Sequence, residues 1–241
     1  METIKFELSG TGASFKKPYI NDKINLTYSH IHKIALLGMF GAILGLGGHE
    51  QKEEDDMYPE FYKELKGLKI SILPYTPFIP KTIKNITDTS GFSNKGETFT
   101  TKEQALVNPK WTIYIQKGEI NDDLYEKLKE MLLKEWGKYS PYLGKNHYQA
   151  TRKDIEIINL ETIDLGAINK IDSLIKEKDF KFVDDFSLEE NLFETGEYYP
   201  IRYRPYANYY IEEKMYLTNK TIEIKKGNLI YVDNDKYLYF F

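Results

Sequence analysis

His30 and His32 stand two residues apart, with Lys33 next and a long apolar run after it, and with Ser29 they form the densest knot of chemistry-bearing side chains in the sequence. Histidine, lysine and the abundant tyrosines are the groups that general acid–base cleavage of RNA requires, and Lys145 and His147 form a second such pair further on. A zinc site needs more ligands than two histidines. His49 lies beyond the apolar run and Glu50 belongs to an acidic stretch, so no ligand set has the spacing. There is no cysteine, which removes thiol nucleophiles, disulfides and thiolate metal sites. No serine or threonine sits in a nucleophile elbow or triad context. Residues 38–48 (Gly-Met-Phe-Gly-Ala-Ile-Leu-Gly-Leu-Gly-Gly) superficially resemble a phosphate loop, but they lack its lysine–hydroxyl ending and fall within or after a helix, where glycines serve close packing and a C-cap. The residues before that helix are better placed for an anion: Ser29, His30, His32 and Lys33 lie where backbone N–H groups and the helix dipole attract phosphate. Ser14-Phe15-Lys16-Lys17-Pro18-Tyr19 interleaves aromatics with lysines, a pattern able to stack a base and grip a phosphate.

The elements that must carry these groups follow from periodicity. Residues 3–8 alternate Ile4, Phe6 and Leu8 with polar residues and predict a strand; a buried helix is expected over 31–46, smooth along Gly38, Gly41, Ala42 and Gly45. Strands follow at 68–74 and 111–116. A helix capped by Asn121 runs to residue 136 on Leu124, Leu128, Met131 and Leu132, and a strand spans 153–160. The order β-α-β-β-α-β predicts an α+β fold: a ferredoxin-like, RRM-like domain over residues 1–160. The connection at 75–110 far exceeds a hairpin turn, is stiffened by Pro74, Pro77 and Pro80 and has a polar tip at 88–96. It reads as an extended β-hairpin arm. Residues 161–241 read as a small β-rich C-terminal domain, with a short helix-like piece near 168–175 and turn signals at 226–228 and 233–235.

The chain's 241 residues, 41% of them hydrophobic and 15% aromatic, suffice for a sizeable core and exclude wholesale disorder. The apolar run at 34–48 is shorter than the roughly twenty residues of a membrane helix, and residues 1–5 enter strand-like sequence without a basic or apolar leader, so a cytoplasmic protein is expected with no membrane partner. A net charge of −4 argues against nucleic acid when taken alone. Its distribution argues otherwise. Residues 10–48 carry Lys16, Lys17, Lys23 and Lys33 against Asp22 alone, and 75–118 carry six lysines against three acids, while acid gathers at 49–65 and 179–197. Such a protein presents a basic groove on one face.

Together these stretches resemble a known family. Residues 4–10 (Ile-Lys-Phe-Glu-Leu-Ser-Gly), 13–19, 26–33 (Leu-Thr-Tyr-Ser-His-Ile-His-Lys) and 36–46 resemble the Cas-five family, the RAMP-type subunit of type I CRISPR surveillance complexes, or Cascade. Many members carry Tyr-Pro-x-Pro-Pro-Arg-Ser/Thr before the helix; the Tyr28-to-Ile34 stretch here looks like the type I-B branch. Residues 142–148 (Tyr-Leu-Gly-Lys-Asn-His-Tyr) resemble the family's later Leu-Gly-Lys/Arg motif. The matches span residues 1–160. The resemblance implies a non-catalytic subunit that clamps the 5′ handle of the crRNA, with the arm as its thumb and the backbone RAMP and large subunits as neighbours. It implies RNA contacts from Ser14, Phe15, Lys16, Lys17, Tyr19, Tyr28, His30, His32 and Lys33, from Lys81, Lys84 and Lys95 on the arm, and from Lys145, His147 and Arg152. No cofactor, metal or catalytic residue is expected. In the type I-C branch the family cuts its own RNA through tyrosine, lysine and histidine, and the first helix here lacks that tyrosine. A metal-independent endoribonuclease acting on repeat RNA, and a ferredoxin-like module for a small ligand or protein, stay open as alternatives.

Overall fold

The alternation of Ile4, Phe6 and Leu8 with Thr3, Lys5 and Glu7 gives β1 (Glu2–Ser9) one face for each of two layers. In the computed structural model, which describes residues 1–18, 24–88, 99–163, 170–183 and 191–241, β1 is followed by β2 (Gly12–Ala13), α1 (Lys33–Leu44), α2 (Glu60–Leu65), β3 (Lys69–Pro74), β4 (Lys81–Asp88), β5 (Phe99–Val107), β6 (Lys110–Gln116), α3 (Asp122–Leu133) and β7 (Thr151–Asn159). The main sheet is antiparallel in the order β3-β6-β1-β7, which is the expected ferredoxin-like arrangement. Its helix-side face is apolar: Ile4, Phe6 and Leu8 pair with Ile115, Ile113 and Trp111, all buried, and Phe6 meets Phe40 of α1 edge-on. His32 caps α1 through Nδ1, which accepts from the Ala35 N–H at 3.2 Å, and Asn121 caps α3 by accepting from Leu124 N–H at 3.2 Å.

Within the stretch read only as acidic, Phe61, Tyr62 and Leu65 recur at helical spacing and form the buried side of α2. It lies against α1 because Gly41 has no side chain: a Cβ there would run into the Cβ of Phe61. The expected arm is present as the β4–β5 hairpin, paired from Lys81↔Leu106 to Asp88↔Phe99; the tip at 89–98 lies outside the described residues. Its root is tied down, since β5 also pairs with β2, and Asn25 exchanges hydrogen bonds with the Lys102 carbonyl and the Gln104 N–H.

The rest of the chain is β-rich: β8 (Glu161–Ile163), β9 (Ile175–Lys176), β10 (Phe180–Phe182), β11 (Glu194–Tyr203), β12 (Tyr210–Thr218), β13 (Ile222–Ile224), β14 (Ile230–Asp233) and β15 (Lys236–Tyr239). The helix-like piece expected near 168–175 is not formed in its described part; residues 171–174 are irregular and Ile175 starts β9. The Leu174 N–H is committed to the Ile72 carbonyl, and Ser173 Oγ to the Tyr239 N–H, so this segment bonds outward and not along itself. The β14–β15 hairpin covers the outer face of the main sheet. Tyr114 is buried there with Leu160, Tyr231 and Leu238, its hydroxyl donates to Asp233 at 2.9 Å, and Lys5 bridges Asp233 and Glu156 at 2.9 Å each.

The α1–α2 contact makes the first test. Gly41→Val overpacks it at a cost of about 1–3 kcal/mol, which in a domain of this size lowers Tm by several degrees at roughly 2–4 °C per kcal/mol. Thermal melting followed by circular dichroism checks this, and an unchanged Tm would mean that the helices have room to spare.

Candidate nucleic-acid interface

The loop after β1 and the segment before α1 run side by side, bridged at Lys16↔Thr27. Phe15 and Tyr28 turn inward: Phe15 packs on Trp111 and His32, and Tyr28 on His32 and Tyr199, with its hydroxyl donating to Glu212. Ser14 is buried too, its hydroxyl on the Gln104 carbonyl at 3.2 Å. Lys16 faces solvent and Lys17 is partly covered.

The expected surface of Lys16, Lys17, His30, His32 and Lys33 is therefore not one surface. His30 Nδ1 accepts from the Trp111 indole at 3.4 Å, and burial pushes its pKa down to about 4. His32 is spent on the α1 cap, and burial pushes it to about 3. Lys33, at the start of α1, donates to the carbonyls of Leu68 at 2.8 Å and Phe241 at 2.9 Å; burial, with Lys69 and Lys176 nearby, pushes it down to about 7. These three face the interior because α1 is buried nearly all round, so they bond to interior groups: the Trp111 indole, the Ala35 N–H and two backbone carbonyls. Of the other expected residues, Arg152 turns toward the end of α3 and donates to the Glu135 carbonyl at 3.2 Å, while Tyr19 and Lys95 lie outside the described residues.

A different cluster forms at the root of the arm. The loop over residues 141–149 closes on itself through Tyr142↔Gln149 and lies on the β1–α1 connection, where the Ser14 N–H donates to the Leu143 carbonyl at 3.1 Å. Gly144, at φ +82°, allows the approach: a Cβ would strike the Ser14 carbonyl. The loop delivers Lys145 to Glu103 of β5 at 3.2 Å, and Tyr148 to Lys84 of β4, whose ammonium lies 4.8 Å from the ring centre. His147 is exposed, its ring centre 4.1 Å from that of Tyr148. Glu103 is almost wholly buried and one of its oxygens has no hydrogen-bond partner, nor has the buried Tyr148 hydroxyl. Lys16 and Lys145 line one groove of about 940 Å³, floored by Ala35, Gly38 and Ala42 of α1 and edged by the exposed Tyr139 and Tyr142.

Lys17 and Lys81 open on a second, smaller pocket of about 460 Å³. Lys81 donates to Ser29 Oγ at 3.0 Å and to the Thr27 carbonyl at 3.3 Å, and Lys17 pairs with Glu197 of β11. Sequence alone does not single out Glu103, Tyr148 or Glu197. Their partners lie far along the chain, and only the position of Glu103 on the inward side of an arm strand hints at a role. Among the described residues no group of three or more His, Cys, Asp or Glu side chains is placed to hold a metal, and no helix is long and apolar enough to cross a membrane.

No protein-family model matches the sequence, and no curated protein matches it. Solved structures do match. A chain of a structure described as a CRISPR RNA-guided surveillance complex superposes with a TM-score of 0.56 at 14% identity, over 90% of each chain. A CRISPR protein from Archaeoglobus fulgidus superposes with a TM-score of 0.53 at 10% identity, over 99% of this chain and 98% of that one. At these identities the likeness establishes the fold: this chain has, nearly end to end, the α+β architecture of those two CRISPR-associated proteins.

The buried histidines set a pH dependence. Unfolded, each takes up a proton near 6.5; folded, only near 4 for His30 and 3 for His32. The unfolded chain therefore binds more protons between these limits. Their contribution to stability is whole above pH 6.5 and declines as pH falls, to about 4 for His30 and about 3 for His32. Tm should drop across that window, and less steeply in His32→Asn, which keeps a cap acceptor. Equal slopes for the two proteins would contradict the burial of His32.

Proposed function

We propose that this chain is an RNA-holding, non-catalytic subunit of a type I CRISPR surveillance complex (Cascade) in the cytoplasm. It clamps the 5′ handle of the guide RNA and touches the backbone and large subunits on either side. The setting rests on the fold shared with a chain of an RNA-guided surveillance complex and on the Tyr28-to-Ile34 stretch, which points to the type I-B branch. The observation that carries the RNA-holding role is the cluster at the root of the arm. Lys84, Lys145 and His147 gather around Tyr148, and Lys16 stands on the groove that Lys145 also lines. Cations spaced along a groove track a phosphate backbone, and exposed rings such as Tyr139 and Tyr142 stack whatever base passes them. The middle of the sheet's outer face, where RRM domains stack bases, is occupied by the β14–β15 hairpin, which favours this edge for RNA. In this reading the arm, exposed along β4, lies across the RNA where handle meets guide and reaches the adjacent backbone subunit.

Holding without cutting is supported by the fate of the histidines. His30 and His32 are buried and neutral, Lys145 is engaged by Glu103, and the other two histidines, exposed His147 and half-buried His49, share no hydrogen bond or ring contact among the described residues. Proton transfer at both ends of a phosphodiester asks for two positioned groups.

Lys16→Ala, Lys84→Ala and Lys145→Ala combined should weaken binding of handle RNA and flatten its salt dependence by about 0.7 of a unit of slope for each phosphate no longer neutralised. Unchanged affinity and slope would move the RNA elsewhere, and a purified complex free of short RNA of uniform 5′ sequence would turn the reading toward a small-ligand or protein-binding module. Repeat RNA incubated with the chain without metal should stay intact. A clean cut at one position, abolished by His147→Ala, would make it a guide-processing endoribonuclease.

A further inference from the structure

Where the sequence pattern suggests a phosphate, in front of α1, the folded chain places a carboxylate of its own. Glu197 reaches over from β11, one oxygen on the Lys17 ammonium and the other accepting from the Ser29 N–H at 2.8 Å. Tyr199, two residues on, places its hydroxyl near the same carboxylate and helps to hold its charge. Burial opposes ionisation of this group, but Lys17 and the Ser29 N–H outweigh it and hold Glu197 below the usual carboxylate range. An ammonium and a backbone N–H on one anion are also the donors that grip a phosphate oxygen.

The surroundings are larger than a carboxylate needs. The pocket of about 460 Å³ adds Lys81, and at its mouth the rings of Phe78 and Tyr198, both more than half exposed. His30 forms part of its wall. With Nδ1 accepting from Trp111, the proton of this neutral ring sits on Nε2, which faces the Pro77 carbonyl without a well-formed hydrogen bond. A buried donor left so is costly. Nor does stability account for the pair of Lys17 and Glu197, each less than a fifth exposed, since a buried ion pair replaced by apolar groups is commonly neutral or stabilising.

We propose that this pocket is a single-nucleotide site in which Glu197 stands in for a phosphodiester. RNA enters by displacing the carboxylate from Lys17 and the Ser29 N–H, with its base against Phe78 and Tyr198. The site rests on the RNA-holding reading and adds a gate to it: an RNA that does not reach this pocket leaves the latch closed, and Lys17 stays neutralised.

The test measures binding of a short fluorescein-labelled single-stranded RNA across a salt series. Glu197→Gln keeps the shape and removes the competing charge, so it should bind roughly three- to tenfold tighter at low salt with a steeper salt slope. The gain should vanish when Lys17→Ala is added. Because Glu197→Gln could loosen the fold, a second measurement uses the otherwise unaltered chain with a benzoylphenylalanine photocrosslinker at the exposed Tyr198 position; it should crosslink the RNA and be competed by unlabelled RNA. Unaltered affinity in folded Glu197→Gln, a gain that survives loss of Lys17, or no crosslink while binding persists would each overturn the latch and leave the RNA-holding reading standing. A wild-type chain that binds no RNA even at low salt would end both.

Discussion

Tyr114 occupies the middle of a sheet face that RRM domains leave open for bases, and here its hydroxyl is tied to Asp233, near the far end of the chain. Burial and that acceptor push the phenol far up, and Lys5 makes the interaction a network by holding Asp233 and Glu156 together. Much else depends on this closure. With the β14–β15 hairpin seated on the sheet, Phe241 exchanges hydrogen bonds with Ile70 along the edge of β3, and its carbonyl becomes an acceptor for Lys33. The seated tail also accompanies the β11–β12 hairpin, which carries Tyr199 and Tyr210 against the aromatic cluster in front of α1.

Parts of this are legible in the sequence because they are local. The period-2 run of β1, the Asn121 cap, the small residues along α1 and the length of the 75–110 connection are each written within a few residues, and the fold uses each as read. The glycine run after residue 37 reads as a packing surface, and the fold supplies the partner that the sequence does not name, Phe61 against Gly41. The site is legible only in part, because side-chain direction is settled by partners that local pattern does not contain. Lys33 looks like a cation at a helix start until two carbonyls separated by most of the chain surround it. His30 looks available until Trp111 arrives from β6. The lysines that remain at the surface are recognisable as cations from composition alone, but nothing near Lys145 or Lys17 announces the acids that meet them, Glu103 and Glu197.

Those acids bear on how a chain of net charge −4 could hold RNA at all. Its interior-side lysines are neutralised in place: Lys17 by Glu197, Lys145 by Glu103, Lys110 by Glu7, Lys5 by Asp233. Lys16, Lys81, Lys84 and Lys102 make no ion pair among the described residues, and all sit at the arm or on the loop beside its root. Binding in the proposed reading is then partly exchange, with an internal carboxylate giving way to a phosphate, and its free energy is the difference between two similar interactions. Such differences are small compared with the interactions themselves, which favours discrimination by fit over raw affinity.

The arm shows how that fit could be enforced. Its root is fixed three times, by pairing to β2, by the Asn25 bridge to Glu103 and by the Lys145–Glu103 pair, and Glu103 takes part in the last two. Beyond the root, β4 has open water on much of both faces, and Ile83 is 59% exposed with no core to enter. What meets β4 beyond the root is the loop over residues 141–149, where Tyr148 lies beneath Lys84. Lys145 lines the groove and pairs with Glu103, so groove and arm root share that ion pair. Glu103, buried with one oxygen unsatisfied, is the point at which a change of partner for Lys145 would be felt along the arm.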